Sequence, residues 1–262
     1  MNERSDAYVV PLGVVGALPD ACHHNTYLAV VRNERFWMVD CAGSPVTQLD
    51  RAGLDPMNLQ GVIITHFHPD HVYGLPALLL GLFVQGIAET RPRQEPLSIY
   101  ARPEVLWQVR SLVELFDYQD WVWALPIEYH PVATEVGALI EEGGPFTVRA
   151  APSRHSIPSL ALRFETPDRP STFVYSSDTL PCFEVEQLAQ NATWLFHESG
   201  GSGHGHSMPR DVGALAMRAN VENLALIHYT TQHEAQQQML TEAREAFEGP
   251  VQLAEELKRY YF

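Results

Sequence analysis

Cysteine is scarce. Cys22, Cys41 and Cys182 are the three in 262 residues, and no Cys-x-x-Cys pair occurs. That excludes a disulfide framework and points to a reducing compartment, the cytoplasm. Positive charge is also short, with 17 Lys and Arg against 32 Asp and Glu, a formal net charge of −15. A strongly basic nucleic-acid wrapper is excluded, although a local basic patch is not. The opening MNERSDAYVV lacks the apolar core of a secretory signal. The most apolar stretch, residues 72–88, is short and broken by Gly74, Pro76, Gly81 and Gly86. It reads as a buried helix and loop rather than a membrane span. Internal repeats, low-complexity tracts and long linkers are absent.

What remains is globular material. Hydrophobic residues make up 45% and charged residues 19%, enough apolar surface for a sizeable core. The apolar runs 27–31 and 36–40 flank a turn at Asn33 and predict a hairpin. Residues 61–65 (GVIIT) predict a short buried strand, and 97–101 another. A helix is expected over 103–118, with Pro103 in its first turn. Strands are expected at 146–150, 160–165, 172–176, 193–196 and 224–227, with helices at 209–219 and 234–247. Strand runs dominate both halves and helices follow each set, which fits two sheets packed face to face with helices outside.

The chemistry concentrates in residues 65–75, THFHPDHVYGL. His66, His68, Asp70 and His71 fall within six residues, directly after a predicted strand. A strand end is stiff, and the turn after it can aim several side chains at one point. His66 and His68, at i and i+2, share a face of an extended backbone. Imidazole and carboxylate suit zinc, iron or manganese. Four such groups on one short loop suggest two adjacent metals. His130 and His233 read as surface residues, and His23 and His24 lie in a loop that could border a site.

The H-x-H-x-D-H run after a hydrophobic strand resembles the signature of the metallo-β-lactamase superfamily. Further groups stand in the order that family uses: His155 in AAPSRHSIPSL, Asp178 ending FVYSSDT and His228 ending LALIH. The likeness extends from VVPLG through MVDCAG to His228. It implies an α+β fold, a four-layer αββα sandwich, as one domain over residues 1–262. It also implies two divalent metal ions, zinc first, with manganese or iron as alternatives. By the resemblance, one ion takes His66, His68, His155 and Asp178. The other takes Asp70, His71, His228 and the shared Asp178. A water between two cations is acidified toward neutral pH, and Asp70 could accept its proton.

The C-terminal third resembles the ribonuclease Z branch. His197-Glu198 ends one strand run, and His206-Ser207 precedes the helix that leads to His228. By that resemblance His206 contacts the scissile phosphate and protonates the leaving oxygen, while Glu198 orients it. His204 is a weaker alternative to His206. Met208 after His206-Ser207, and Ser199-Gly200 after Glu198, depart from the branch's usual residues. Members that process tRNA insert a long arm between the residues matching His155 and Asp178. Only 178 − 155 = 23 positions separate them here, filled by two predicted strands and a turn. Structured tRNA is therefore not expected as a partner; a small or cyclic nucleotide phosphodiester is.

Three other functions stay open at this level: a tRNA 3′-end endonuclease, a hydrolase of another ester (lactone, thioester or sulfate), and a metal-binding accessory protein without turnover. The aromatic segment 116–129 (Phe116, Tyr118, Trp121, Trp123, Tyr129) reads as core or interface packing, or as a pocket wall. Arg154 could pair a phosphate or simply be exposed. A homodimer is compatible with the resemblance.

Overall fold

A computed structural model describes residues 6–88, 95–121, 124–201 and 205–262. The chain opens with β1 (Ala7–Gly13), β2 (Tyr27–Arg32) and β3 (Arg35–Val39). The β2–β3 hairpin turns at Asn33 and Glu34, both left-handed at φ 52° and 65°. This is the two-residue turn whose twist matches antiparallel strands, and Asn tolerates it well. The helix α1 (Pro45–Ala52) follows, stopped by Gly53 at φ 71°. Then come β4 (Leu59–Ile63), the short α2 (Pro69–Val72), α3 (Leu75–Ala88), β5 (Leu97–Ala101), α4 (Pro103–Glu114) and β6 (Ile127–Pro131). Strands β3 to β6 run parallel, joined by helical crossovers.

The second half carries β7 (Ala138–Glu141), β8 (Thr147–Ser153), β9 (Ser159–Glu165) and β10 (Thr172–Tyr175), then α5 (Phe183–Leu188) and β11 (Trp194–Glu198). It continues through α6 (Pro209–Arg218), β12 (Asn223–Ile227), α7 (His233–Arg244) and β13 (Val251–Leu253). The last strand, β14 (Tyr260–Tyr261), returns to the first sheet beside β1. Among the described residues two seven-stranded sheets result, ordered β14-β1-β2-β3-β4-β5-β6 and β13-β12-β11-β10-β9-β8-β7.

One apolar cluster fills the space between the sheets. Val9, Leu28, Val30, Val39 and Ile63 of the first meet Phe146, Phe164, Phe173, Tyr175 and Phe196 of the second. A second cluster joins the outer face of the first sheet to α1, α3 and α4, while α5, α6 and α7 cover the second sheet. The architecture is the expected αββα sandwich. Residues 69–88 are long and apolar enough to cross a membrane by length and composition. In the fold, Leu75, Leu78, Leu79 and Leu82 of this stretch are core residues. The helix expected over 103–118 stops at Glu114, because Phe116 and Asp117 turn back onto the carbonyls of Val113 and Glu114.

Both sheets present their functional strand ends at one edge. Asp40 follows β3, the His66–His71 loop follows β4, His155 follows β8, Asp178 follows β10, and His228 follows β12. Residues on such ends are aimed by two rigid ladders, which is why groups far apart in sequence can converge.

Candidate metal centre

The ladder of β4 ends at Ile63, and Thr65 donates its N–H to Asp40 Oδ1 at 2.8 Å instead of to a neighbouring strand. That pins the loop before its histidines begin. His68 then caps α2 in extended conformation, placing Asp70 and His71 on the first helical turn. His66 Nε2 and His155 Nε2 each lie 3.1 Å from His68 Nδ1. Tetrahedral ligands at about 2.0 Å from a cation stand roughly 3.3 Å apart, so this spacing suits an ion. Asp178 Oδ2 stands 3.7 Å from His66 Nε2, 3.6 Å from His71 Nε2 and 3.5 Å from His228 Nε2. His228 Nε2 is 3.5 Å and His71 Nε2 3.7 Å from Asp70 Oδ2. Ligand atoms within 4.8 Å of one another come from His66, His68, His155 and Asp178, and again from Asp70, His71 and His228.

The surrounding hydrogen bonds fix how these rings face. Asp40, fully buried, accepts from His71 Nδ1 at 2.8 Å and from the Thr65 hydroxyl at 2.9 Å. His155 Nδ1 donates to the Gly205 carbonyl at 2.9 Å. In both rings Nδ1 carries the proton, so Nε2 turns a lone pair into the cluster. His71 Nε2, His228 Nε2 and Asp178 Oδ1 are buried without a hydrogen-bond partner. Orphaned acceptors in the interior are costly. Here they share one small space, and a divalent cation would satisfy them together, so the donor set fits a pair of metal ions.

Charge is unevenly distributed over the rings, and a bound cation would have to displace the second proton that His71 favours. Burial, with the neighbouring His71, holds His66 well below its usual pKa. Burial also pushes His71 down, but the carboxylates of Asp178 and Asp40 outweigh it and raise His71 well above the ordinary value. Burial works to raise Asp178, yet His228, His71 and His66 around it hold it well below the carboxylate range.

Beside the cluster, Glu198 is fully buried at the end of β11. It accepts from Ser207 N at 2.6 Å, Gly200 N at 2.7 Å and His206 Nδ1 at 3.3 Å. The bond to Glu198 raises the His206 pKa. His206 stacks on His228 with ring centroids 5.4 Å apart. Ser207 completes the frame by donating to the Thr179 carbonyl at 2.7 Å.

The structure thus brings together all nine residues singled out in sequence: His66, His68, Asp70, His71, His155, Asp178, His228, Glu198 and His206. It leaves others outside. His197 turns inward and contacts the Glu198 carbonyl at 2.7 Å. His23 bonds Asp20 and His24 bonds Glu256, away from the cluster. His233 is exposed, whereas His130 stacks on Tyr100. Arg154 is exposed. Tyr118, Trp121 and Tyr129 pack into or against the core under α4, so the packing reading holds for them. His204 and Trp123 lie outside the described residues. Sequence reasoning gave no role to Asp40, Thr65 or Ser207. The available signal was MVDCAG, where a lone aspartate ends a hydrophobic run, and the Ser that follows His206.

Residues 7–248 match the family described as Anti-Pycsar protein Apyc1. The chain belongs to the Apyc1 family. Apyc1 sequences are not its sole relatives. A ribonuclease Z from Methanothermobacter thermautotrophicus is 27% identical over 90% of this chain and 91% of its own length. The metallo-β-lactamase fold protein YhfI from Bacillus subtilis superposes with a TM-score of 0.81 at 20% identity, covering 98% of this chain and 99% of its own. Human tRNase Z, short form, follows at 0.78 and 20%, covering 97% and 98%. This Apyc1-family chain is therefore a ribonuclease Z-like protein of the metallo-β-lactamase fold.

Proposed function

We propose that the protein is a metal-dependent phosphodiesterase acting on a small or cyclic nucleotide. The observation that carries this reading is the convergence of His66, His68, His155, Asp70, His71 and His228 on Asp178, with the His206–Glu198 pair alongside. One ion would be held by His66, His68, His155 and Asp178, and a second by Asp70, His71, His228 and the shared Asp178. Zinc suits this nitrogen-rich set best. Bound cations would neutralise phosphate charge and acidify a water near neutral pH.

The chain's own residues do the rest. Asp70, 17% exposed at its side chain, faces the open side and accepts the proton of the attacking water. His206, 25% exposed, bonds Glu198 through Nδ1 and donates the Nε2 proton to the leaving oxygen. Glu198 holds that ring's orientation and favours its protonated form. Only β9, β10 and a turn lie between His155 and Asp178, which supports a compact substrate rather than a gripped tRNA. The unpaired cysteines fit a cytoplasmic protein. The exposed row Leu80, Val84 and Ile87 on α3 supports a homodimer.

Metal analysis of the purified protein, joined to an assay on bis(p-nitrophenyl) phosphate, tests the proposal. Asp70→Ala is expected to lower kcat on that ester by about 100-fold or more, and His206→Ala to do so on a nucleotide phosphodiester, whose alkoxide leaving group needs a proton. No cleavage by metal-replete wild type would remove it. Retention of most activity by His206→Ala on the nucleotide diester would remove the leaving-group role of His206.

A further inference from the structure

His71 and His155 both turn Nε2 into the cluster, but their other ring nitrogens are held in different ways. His71 Nδ1 meets Asp40, a fully buried side chain at the end of β3. His155 Nδ1 donates instead to a main-chain carbonyl, that of Gly205, 50 positions on and one residue before His206. The backbone at Gly205 is suited to this contact. Its φ of 95° is a conformation that side chains disfavour. A Cβ there would stand 2.6 Å from His155 Nδ1 and 3.1 Å from the Ser156 amide nitrogen. The His155 ring has little room to swing aside, because its Nε2 faces His68 Nδ1 at 3.1 Å across the space that suits an ion. Glycine is the residue that lets the carbonyl come this close.

The same stretch carries His206. On its far side Ser207 donates its N–H to Glu198 and its hydroxyl to the carbonyl of Thr179, the residue after Asp178. The His206 ring rests on Glu198 at 3.3 Å, long for a bond to a carboxylate, and its centroid lies 5.2 Å from that of His155. Residue 206 is thus fastened from both directions, through 205 to one ligand histidine and through 207 to the neighbour of the shared aspartate. A cation at His155 Nε2 would draw charge from the ring and make Nδ1–H a stronger donor to Gly205. Coupling of this kind is reciprocal, so a fixed Gly205 would strengthen His155 as a ligand in return.

We propose that the Gly205 carbonyl couples metal occupancy to the placement of His206: filling the site of His66, His68, His155 and Asp178 fixes the 205–207 stretch, and the fixed stretch tightens that site. Gly205 is then a positioning residue, and the proton donor is assembled on loaded protein. The ion beside His71 is oriented from the core through Asp40 and joins this coupling only through the shared Asp178. The link to leaving-group protonation rests on the phosphodiesterase reading above. The link between metal and loop does not.

Gly201 supplies a matched control. Its φ is 96°, yet a Cβ there meets nothing within 4 Å, so Gly201→Ala carries the same backbone strain without the His155 contact. Zinc competition against a chromogenic chelator should find two equivalents bound by wild type and by Gly201→Ala. In Gly205→Ala one of the two is expected to weaken by about 10–100-fold. Hydrogen exchange at the Ser207 amide needs no variant for its first result. Zinc should slow it about fivefold or more in wild type, and by less than about twofold in Gly205→Ala. With zinc saturating, kcat is then compared on methyl p-nitrophenyl phosphate, whose phenolate leaves without a proton, and on a 3′,5′-cyclic nucleotide, whose alkoxide does not. Gly205→Ala should lose about tenfold or more on the cyclic nucleotide and stay within about threefold on the aryl ester. Ser207 exchange indifferent to zinc in wild type, or equal zinc affinity in the two alanine variants, overturns the coupling. Equal losses on both esters overturn its link to His206. Failure of zinc-loaded wild type to cleave either ester overturns the phosphodiesterase reading, and the exchange and affinity results still decide the coupling.

Discussion

Asp40 shows how much one side chain can organise. It sits at φ 61°, a left-handed conformation rare for non-glycine residues, and so do Ser177 beside Asp178 (φ 52°) and His228 (φ 56°). Three strained residues at three converging strand ends mark a site whose surroundings over-determine it. Asp40 carries no ligand role in the proposed centre, but it sets the tautomer of His71 and the path of Thr65. Replacing it with Asn keeps the shape and removes the charge that orients His71. Metal affinity is then expected to fall about 10–100-fold, with the fold retained. Competition against a chromogenic chelator, alongside a far-ultraviolet spectrum, measures both. At this scale the sequence was readable where spacing is local. His66, His68, Asp70 and His71 announce themselves within six positions, while Asp40 means nothing until the fold brings it to His71, 31 positions on.

At the scale of elements, buried strands read well and edges poorly. The runs predicted at 27–31, 97–101, 160–165 and 224–227 are strands within a residue or two. The short or peripheral β6, β7, β13 and β14 were not anticipated, because edge strands bury too little to print a pattern. The strand expected over 61–65 is shifted to Leu59–Ile63, since Asp40 takes the Thr65 amide. Helix packing is tightest where α6 crosses α7. A Cβ on Gly213 would lie 2.3 Å from the Ala243 carbonyl oxygen, a backbone atom that cannot swing aside. Gly213→Ala is therefore expected to destabilise by about 1–3 kcal/mol through overpacking. A thermal melt should fall by roughly 2–4 °C per kcal/mol for a chain of this size.

The whole molecule responds to pH through its buried phenols as well as its cluster. Burial holds Tyr118 and Tyr260 up to about 12, against about 10 in an unfolded chain. The fold keeps these protons longer than the unfolded chain does. Their contribution is thus complete below pH about 10 and is lost as pH rises from there toward 12. Urea midpoints should decline over that window, and less steeply in Tyr118→Phe. The sheets are also tied to each other by the last residues described. Residues 260–261 pair with β1 of the first sheet, while Phe262 lies within 6 Å of Phe146 and Phe173 and Tyr260 meets Phe196, all on the second. Such a clasp cannot fray alone without exposing aromatic rings from both halves. The amide proton at 262, which bonds the Ala7 carbonyl, should therefore resist deuterium as long as those at the centre of β1, and the opening of this short ribbon would report the loss of the entire sandwich.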